Sequence, residues 1–208
     1  QVYAQSFPET FDSQLRWVAE HAEEYNIVFV SHVGDIVQNG DSQNEWDVAI
    51  AAFDWLDDIN LPHGFSMGAH DFWVYGNEHN NTCSSFGHFD CDFTDFLRSF
   101  GPDKFANKAW FKGSSPSGIS SYQKVTVGDL EIIFLHLPQD TPQAEVEWAD
   151  EILDASPGTL VHLTTHRYLF DYRLTEELPE PLDDLPAGRF NGLTYLLANQ
   201  NLVFNTGL

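Results

Sequence analysis

Residues 27–71 read IVFVSHVGDIVQNGDSQNEWDVAIAAFDWLDDINLPHGFSMGAHD. Two short apolar runs, 27–30 and 61–67, each end in a tight polar turn. The first turn is Ser31-His32-Val33-Gly34-Asp35 and the second is Gly68-Ala69-His70-Asp71. Between them Trp46, Ile50, Phe53 and Leu56 recur at helical spacing, which predicts a helix over 44–59 with one apolar face. The unit is therefore strand–loop–helix–strand–loop, with Asp and His at the strand ends. Ligands of open α/β sheets bind just outside the carboxyl ends of strands, so candidate chemistry belongs to these two turns.

Working outward, Thr10 is a candidate N-cap. Phe11, Leu15, Val18 and Ala22 then repeat as a helical stripe that Asn26 ends. Residues 72–92 have no period and read as a surface insertion. A short helix is expected over 92–100 and a short strand over 109–111. Residues 121–127 and 131–137 are β-like runs joined at Gly128-Asp129, a hairpin signal. Thr141-Pro142 opens a third helix whose buried side is Val146, Ala149, Ile152 and Leu153. A strand over 160–165 ends at His166. Residues 174–186 are acidic, proline-rich loop, followed by a helix over 191–199 and a strand over 202–204. This order specifies an α/β protein in one domain, 1–208. The antiparallel second half implies a second sheet packed on the first.

The chain carries 32 Asp+Glu against 9 Lys+Arg, a net charge of −23. That argues against nucleic acid, whose phosphates need cations, and leaves divalent cations as natural partners. No apolar run approaches the roughly 20 residues of a membrane span. Cys83 and Cys91 lie in an Asn/Gly/Ser-rich stretch and would close a small loop as a disulfide; a metal pair flanked by His79 and His88 is the weaker alternative. Asn80 begins an Asn-Asn-Thr glycosylation sequon. Together these place the chain outside the cell, secreted or at the surface. Self-association is left open.

The strand-end residues Asp35, His32, His70, Asp71 and His166, with His136 and His162 inside strands, are the donors that hydrolytic metal centres use. Gly34-Asp35, then Gly68-Ala69-His70-Asp71, then Thr164-Thr165-His166 resembles the calcineurin-like metallophosphoesterase family over essentially the whole chain. Trp17, Glu45-Trp46 and Trp148-Ala149 add to the likeness. The resemblance implies two packed mixed β-sheets flanked by helices, divalent ions (Mn, Zn, Fe or Mg) at the strand ends, and a phosphate-ester substrate. It assigns Asp35 and His166 as metal ligands, with Gln1 as a weaker third from a D-x-Q motif, and His70 as catalytic acid. Two positions depart from the pattern. Ala69 stands where the family has a metal-binding Asn, and Leu208 stands where G-H-x-H has its first His.

Two readings follow. One is a metal-dependent hydrolase of phosphomonoesters or phosphodiesters. The other is a catalytically degenerate member with a structural, binding or assembly role. A third pattern, Gly64-Phe65-Ser66-Met67-Gly68, matches the G-x-S-x-G nucleophile elbow. No apolar helix follows it, so Ser66 reads as a chance match.

Overall fold

A computed structural model describes residues 2–74, 91–139 and 141–166. The chain begins with helix α1 (Val2–Ser6) and helix α2 (Pro8–His21). Strand β1 (Val30–His32) leads through a long turn to helix α3 (Gln43–Asp58) and strand β2 (His63–Phe65). A two-residue pair follows, β3 (Trp73–Val74) against β4 (Cys91–Asp92), antiparallel. Helices α4 (Thr94–Phe100) and α5 (Pro102–Phe105) precede strands β5 (Phe111–Ser114), β6 (Ser121–Val127) and β7 (Leu130–His136). Helix α6 (Gln143–Asp154) and strand β8 (Leu160–Thr164) complete the described chain.

β1 and β2 pair in parallel, Val30 opposite His63 and His32 opposite Phe65. A second sheet runs β5-β6-β7-β8. Its hairpin pairs Ser121 with His136 and Val127 with Leu130, and β8 joins β7 in parallel. Alternation along β7 explains the layering. Ile133, Leu135 and Leu137 point to α6 and meet Val146, Ala149 and Leu153. Phe134 and His136 point the other way: Phe134 stacks on Phe29 at 3.7 Å and His136 Nε2 lies 3.2 Å from Ser31 Oγ. The two sheets therefore pack face to face, with α2 and α3 outside one and α6 outside the other. This is the expected sandwich.

The larger core lies under α3. Trp46, Phe53 and Leu56 of the expected stripe are buried together with Ala49 and Ala52, whereas Ile50 is only partly buried, and Phe53 packs edge-on against Phe11, Phe65 and Phe100. Several boundaries differ from expectation. The α2 helix starts at Pro8, whose missing N–H suits a first turn, so Thr10 lies inside the helix and Phe7 is the cap residue. Strand β1 begins only at Val30, because pairing with β2 starts there; residues 27–29 are apolar but have no strand partner among the described residues. The insertion is narrower than 72–92, since β3 and β4 close its base. Helix α5 was not legible in the sequence. The expected loop, helix and strand over 174–204 lie outside the described residues, as do Gln1, Asn80, Cys83 and Leu208.

Two core histidines sit in this packing without solvent contact. Burial lowers His63 to about 4, against a bond to the Leu61 carbonyl, and lowers His136 to about 3. In the unfolded chain each titrates near its ordinary 6.5, so the unfolded state takes up protons first as the pH falls. Asp71, pushed up by burial to about 6, opposes this with one carboxyl. Stability is therefore expected to fall from about pH 6.5 towards about 4, by about 1.4 kcal/mol per pH unit for each histidine. Urea unfolding followed by circular dichroism across that range checks it.

Candidate metal and phosphoester site

The two turns of the β1–α3–β2 unit meet backbone to backbone. A Cβ on Gly68 would lie 2.2 Å from the Asp35 nitrogen, and one on Gly34 would lie 2.7 Å from the Gly68 nitrogen. Gly34 also adopts φ +95°, and Asp35 follows it at φ +54°, a left-handed conformation that Asp tolerates better than most residues. This double turn aims the Asp35 carboxylate back over the second loop.

The loops are then stitched reciprocally. Asp71, with no exposed surface, accepts the amides of Ile36 at 2.7 Å and Val37 at 3.1 Å through Oδ1, and that of Gly68 at 2.8 Å through Oδ2. Asp35 in turn accepts the His70 amide at 3.0 Å through Oδ1. Burial raises the Asp71 carboxyl to about 6, although the three amide bonds favour its ionised form. Glu45, buried at the start of α3, continues the pattern. It accepts the amides of Gln38 at 2.7 Å and Asn39 at 3.0 Å, and the Asn39 side chain at 2.6 Å. Four successive amides, 36 to 39, thus end on two buried carboxylates.

His166 arrives from the end of β8. The Val33 carbonyl, 2.8 Å from its Nδ1, can only accept, so Nδ1 carries the proton and Nε2 faces Asp35 Oδ2 at 3.3 Å. Burial would lower His166 and raise Asp35. The bond between them outweighs it, so His166 titrates above its ordinary value and Asp35 below. A ring whose Nδ1–H is tied to a backbone carbonyl and whose Nε2 faces a carboxylate has the orientation of a metal ligand. A separation of 3.3 Å also suits two donors on one ion with bonds of about 2.0–2.2 Å.

His70 is oriented by Gln38. The Gln38 carbonyl lies 2.9 Å and its side-chain nitrogen 3.1 Å from His70 Nδ1. The carbonyl takes an Nδ1–H whereas the side-chain N–H needs an unprotonated Nδ1, so either tautomer makes one of the two bonds and both hold the ring at Nδ1. His70 is thus a loop histidine held at Nδ1 by the backbone of the neighbouring loop. Ala69, between Gly68 and His70 in the chain, has only a methyl group and offers no ligating side-chain atom. Among the described residues no set of three or more His, Cys, Asp or Glu is arranged to hold a metal. The donors fit one ion held by two protein atoms. They do not fit a fully ligated pair.

The remaining candidates are structural. His32, lowered by burial to about 4, accepts the Gly34 amide at 3.2 Å. His162 lies 3.3 Å from Thr164 Oγ1. Ser66 is fully buried and donates to the Thr164 carbonyl at 3.0 Å, so it bridges the sheets and cannot act as a nucleophile. Sequence reasoning assigns no part to Gln38 and counts Glu45 only toward the family likeness. The visible signal is Glu45 in an otherwise apolar helix start, next to Trp46.

Two packed sheets with Asp and His at the strand ends are the arrangement that the family resemblance implies. The comparisons agree: the model of the calcineurin-like phosphoesterases matches residues 8–197, and this chain belongs to that family. It is similar to the uncharacterised protein YvnB of Bacillus subtilis, with 28% identity over 169 residues. The match covers 81% of this chain but 12% of YvnB, so the chain spans a small part of that relative's length.

The Asp71 carboxylate is expected to matter more for stability than Asp35. Asp71→Ala leaves three buried amides without an acceptor and should cost roughly 3 kcal/mol or more. Asp35→Asn keeps an acceptor oxygen and should cost about 1 kcal/mol. Chemical denaturation of both variants measures the difference.

Proposed function

We propose that this domain hydrolyses phosphate esters at a centre that takes one divalent cation between Asp35 and His166. The observation that carries this is the 3.3 Å approach of His166 Nε2 to Asp35 Oδ2, with the ring's other nitrogen committed to Val33. One imidazole nitrogen and one carboxylate suit Mn, Fe or Zn better than Mg. When bound, such an ion supplies positive charge for phosphoryl oxygens and lowers the pKa of water.

The chain's own residues do the rest. Asp35, kept ionised by His166 and the His70 amide, holds the charge at the strand end. Gln38 holds the His70 ring at Nδ1, and with Nδ1–H donated to the Gln38 carbonyl it is Nε2 that would deliver a proton to the leaving oxygen. The Asp71 and Glu45 clamps keep both loops in register for that transfer. Ala69 leaves the centre short of a donor, which predicts weaker metal binding than a full ligand set would give. Ala69 is also the observation that favours the second reading, a domain that retains the scaffold for binding or assembly.

Metal uptake must displace the proton that His166 holds at its raised pKa. Manganese affinity is therefore expected to rise with pH, by up to about tenfold per unit, until His166 has titrated. Calorimetry on the wild type and Asp35→Asn checks this, and the variant should lose binding. With added manganese, turnover of a nitrophenyl phosphate ester should depend on Asp35 and His70, and Ala69→Asn should raise it about tenfold or more. Metal binding without turnover in both wild type and Ala69→Asn would establish the second reading.

We also propose that the protein lies outside the cell, on the strength of the Cys83/Cys91 spacing and the Asn80 sequon. Intact-mass measurement of protein secreted from a eukaryotic host should show one disulfide, and glycan at Asn80.

A further inference from the structure

Asn39-Gly40 and Asn191-Gly192 are the Asn-Gly pairs of the chain, and the first lies in the loop that carries Asp35 and Gln38. An asparagine before glycine is prone to lose its side-chain amide spontaneously, because no side chain shields the next backbone nitrogen from its Cγ. The structure fixes both residues of the first pair. A Cβ at position 40 would lie 2.7 Å from the Phe72 carbonyl oxygen and 2.9 Å from the Phe72 nitrogen, so only glycine fits. The Asn39 side chain donates to Glu45 Oε1 at 2.6 Å, so an aspartate there would set carboxylate against carboxylate. Neither residue can be exchanged without disturbing the loop, and the reactive pair is therefore built into the site.

The same contacts restrain the reaction. Ring closure brings Asn39 Cγ onto the Gly40 nitrogen, which requires the side chain to leave Glu45 and the peptide between the two residues to turn. Glu45, 4% exposed, accepts the Asn39 amide at 3.0 Å as well as the side chain. The Asn39 carbonyl accepts the Ser42 amide at 2.9 Å, and the Gly40 carbonyl accepts the Trp46 indole N–H at 2.8 Å. The pair is thus anchored on both sides by the start of α3.

We propose that Asn39 is a spontaneous modification site in the folded protein, and that its bonds to the start of α3 set the rate of conversion. The Gly40 nitrogen attacks Asn39 Cγ. The new N–C bond forms as the bond to the side-chain nitrogen breaks, and ammonia leaves with the Gly40 proton. Water then opens the cyclic imide at one carbonyl or the other, giving aspartate or isoaspartate. Either product replaces a donor to Glu45 with a second carboxylate, which a buried carboxylate does not tolerate as a neighbour. Isoaspartate also lengthens the backbone by one carbon. Glu45 then loosens its hold on the Gln38 amide, and Gln38 is the residue that holds the His70 ring. The chemistry at Asn39 is independent of the Asp35–His166 centre.

The test ages the full chain at mildly alkaline pH, folded and in urea, and follows conversion at Asn39 and Asn191 separately by peptide mass spectrometry. Conversion at Asn39 is expected in the folded chain, about tenfold or more slower than in urea. Glu45→Gln, shown to be folded by circular dichroism, should remove most of that difference and leave the rate at Asn191 unchanged. Asn39→Asp should shift the NMR signals of the Gln38 amide and the His70 ring, and aged wild type should acquire the same shifts. Four outcomes would overturn the proposal. They are equal rates at Asn39 in the folded chain and in urea, a folded chain still unconverted after about a hundred urea half-times, a Glu45→Gln rate no faster than wild type, and wild-type His70 signals in Asn39→Asp. If Glu45→Gln fails to fold, Trp46→Phe, which removes the bond to the Gly40 carbonyl, carries the same comparison.

Discussion

Asp71 accepts the amides of Ile36 and Val37 from one loop and of Gly68 from its own, and the functional end of the molecule hangs on those three bonds. A buried carboxylate is stable only where donors surround it. Here the donors are the backbone of the very turn that carries Asp35. That turn reciprocates, because Asp35 accepts the amide of His70. Neither loop can move without uncovering a charge. The glycines at 34 and 68 make the clamp reachable, since side chains there would hold the backbones apart.

This explains how the centre keeps its shape around Ala69. In a site held together by coordination, loss of a ligand would loosen the loops. In this chain the geometry rests on amide–carboxylate bonds, extended by Glu45 to Gln38 and Asn39, and the metal donors are placed by the same bonds. His166 is oriented from a third element by the Val33 carbonyl, within the Asp35 loop itself. The proposed ion would thus meet two donors already in place and several open positions, the arrangement expected of weak binding.

The two sheets meet over a partly polar seam. His136 reaches Ser31, Ser66 reaches the Thr164 carbonyl, and the Gln139 amide reaches the Met67 carbonyl at 2.8 Å. These bonds bring β8, and with it His166, to the ends of β1 and β2. Neutral histidines in such a seam tie the fold to neutral pH, because protonation there has no water to support it.

Periodicity alone determined α3, the β6–β7 hairpin and α6, since each buries one face and the spacing of apolar residues records that face. The family likeness in Gly34-Asp35, His70-Asp71 and His166 was equally legible, as was the absence of a donor at position 69. Strand limits were not, because a strand ends where its partner ends, and Ile27 to Phe29 have no strand partner among the described residues. Nor were the parts played by Gln38 and Glu45. A carboxylate near the start of a helix reads as solvated charge until packing shows which amides face it. Only the tertiary structure decided that Asp71 and Glu45 are clamps, that Ser66 is a buried bridge, and that Asp35 and His166, 131 residues apart in the chain, stand within reach of one ion.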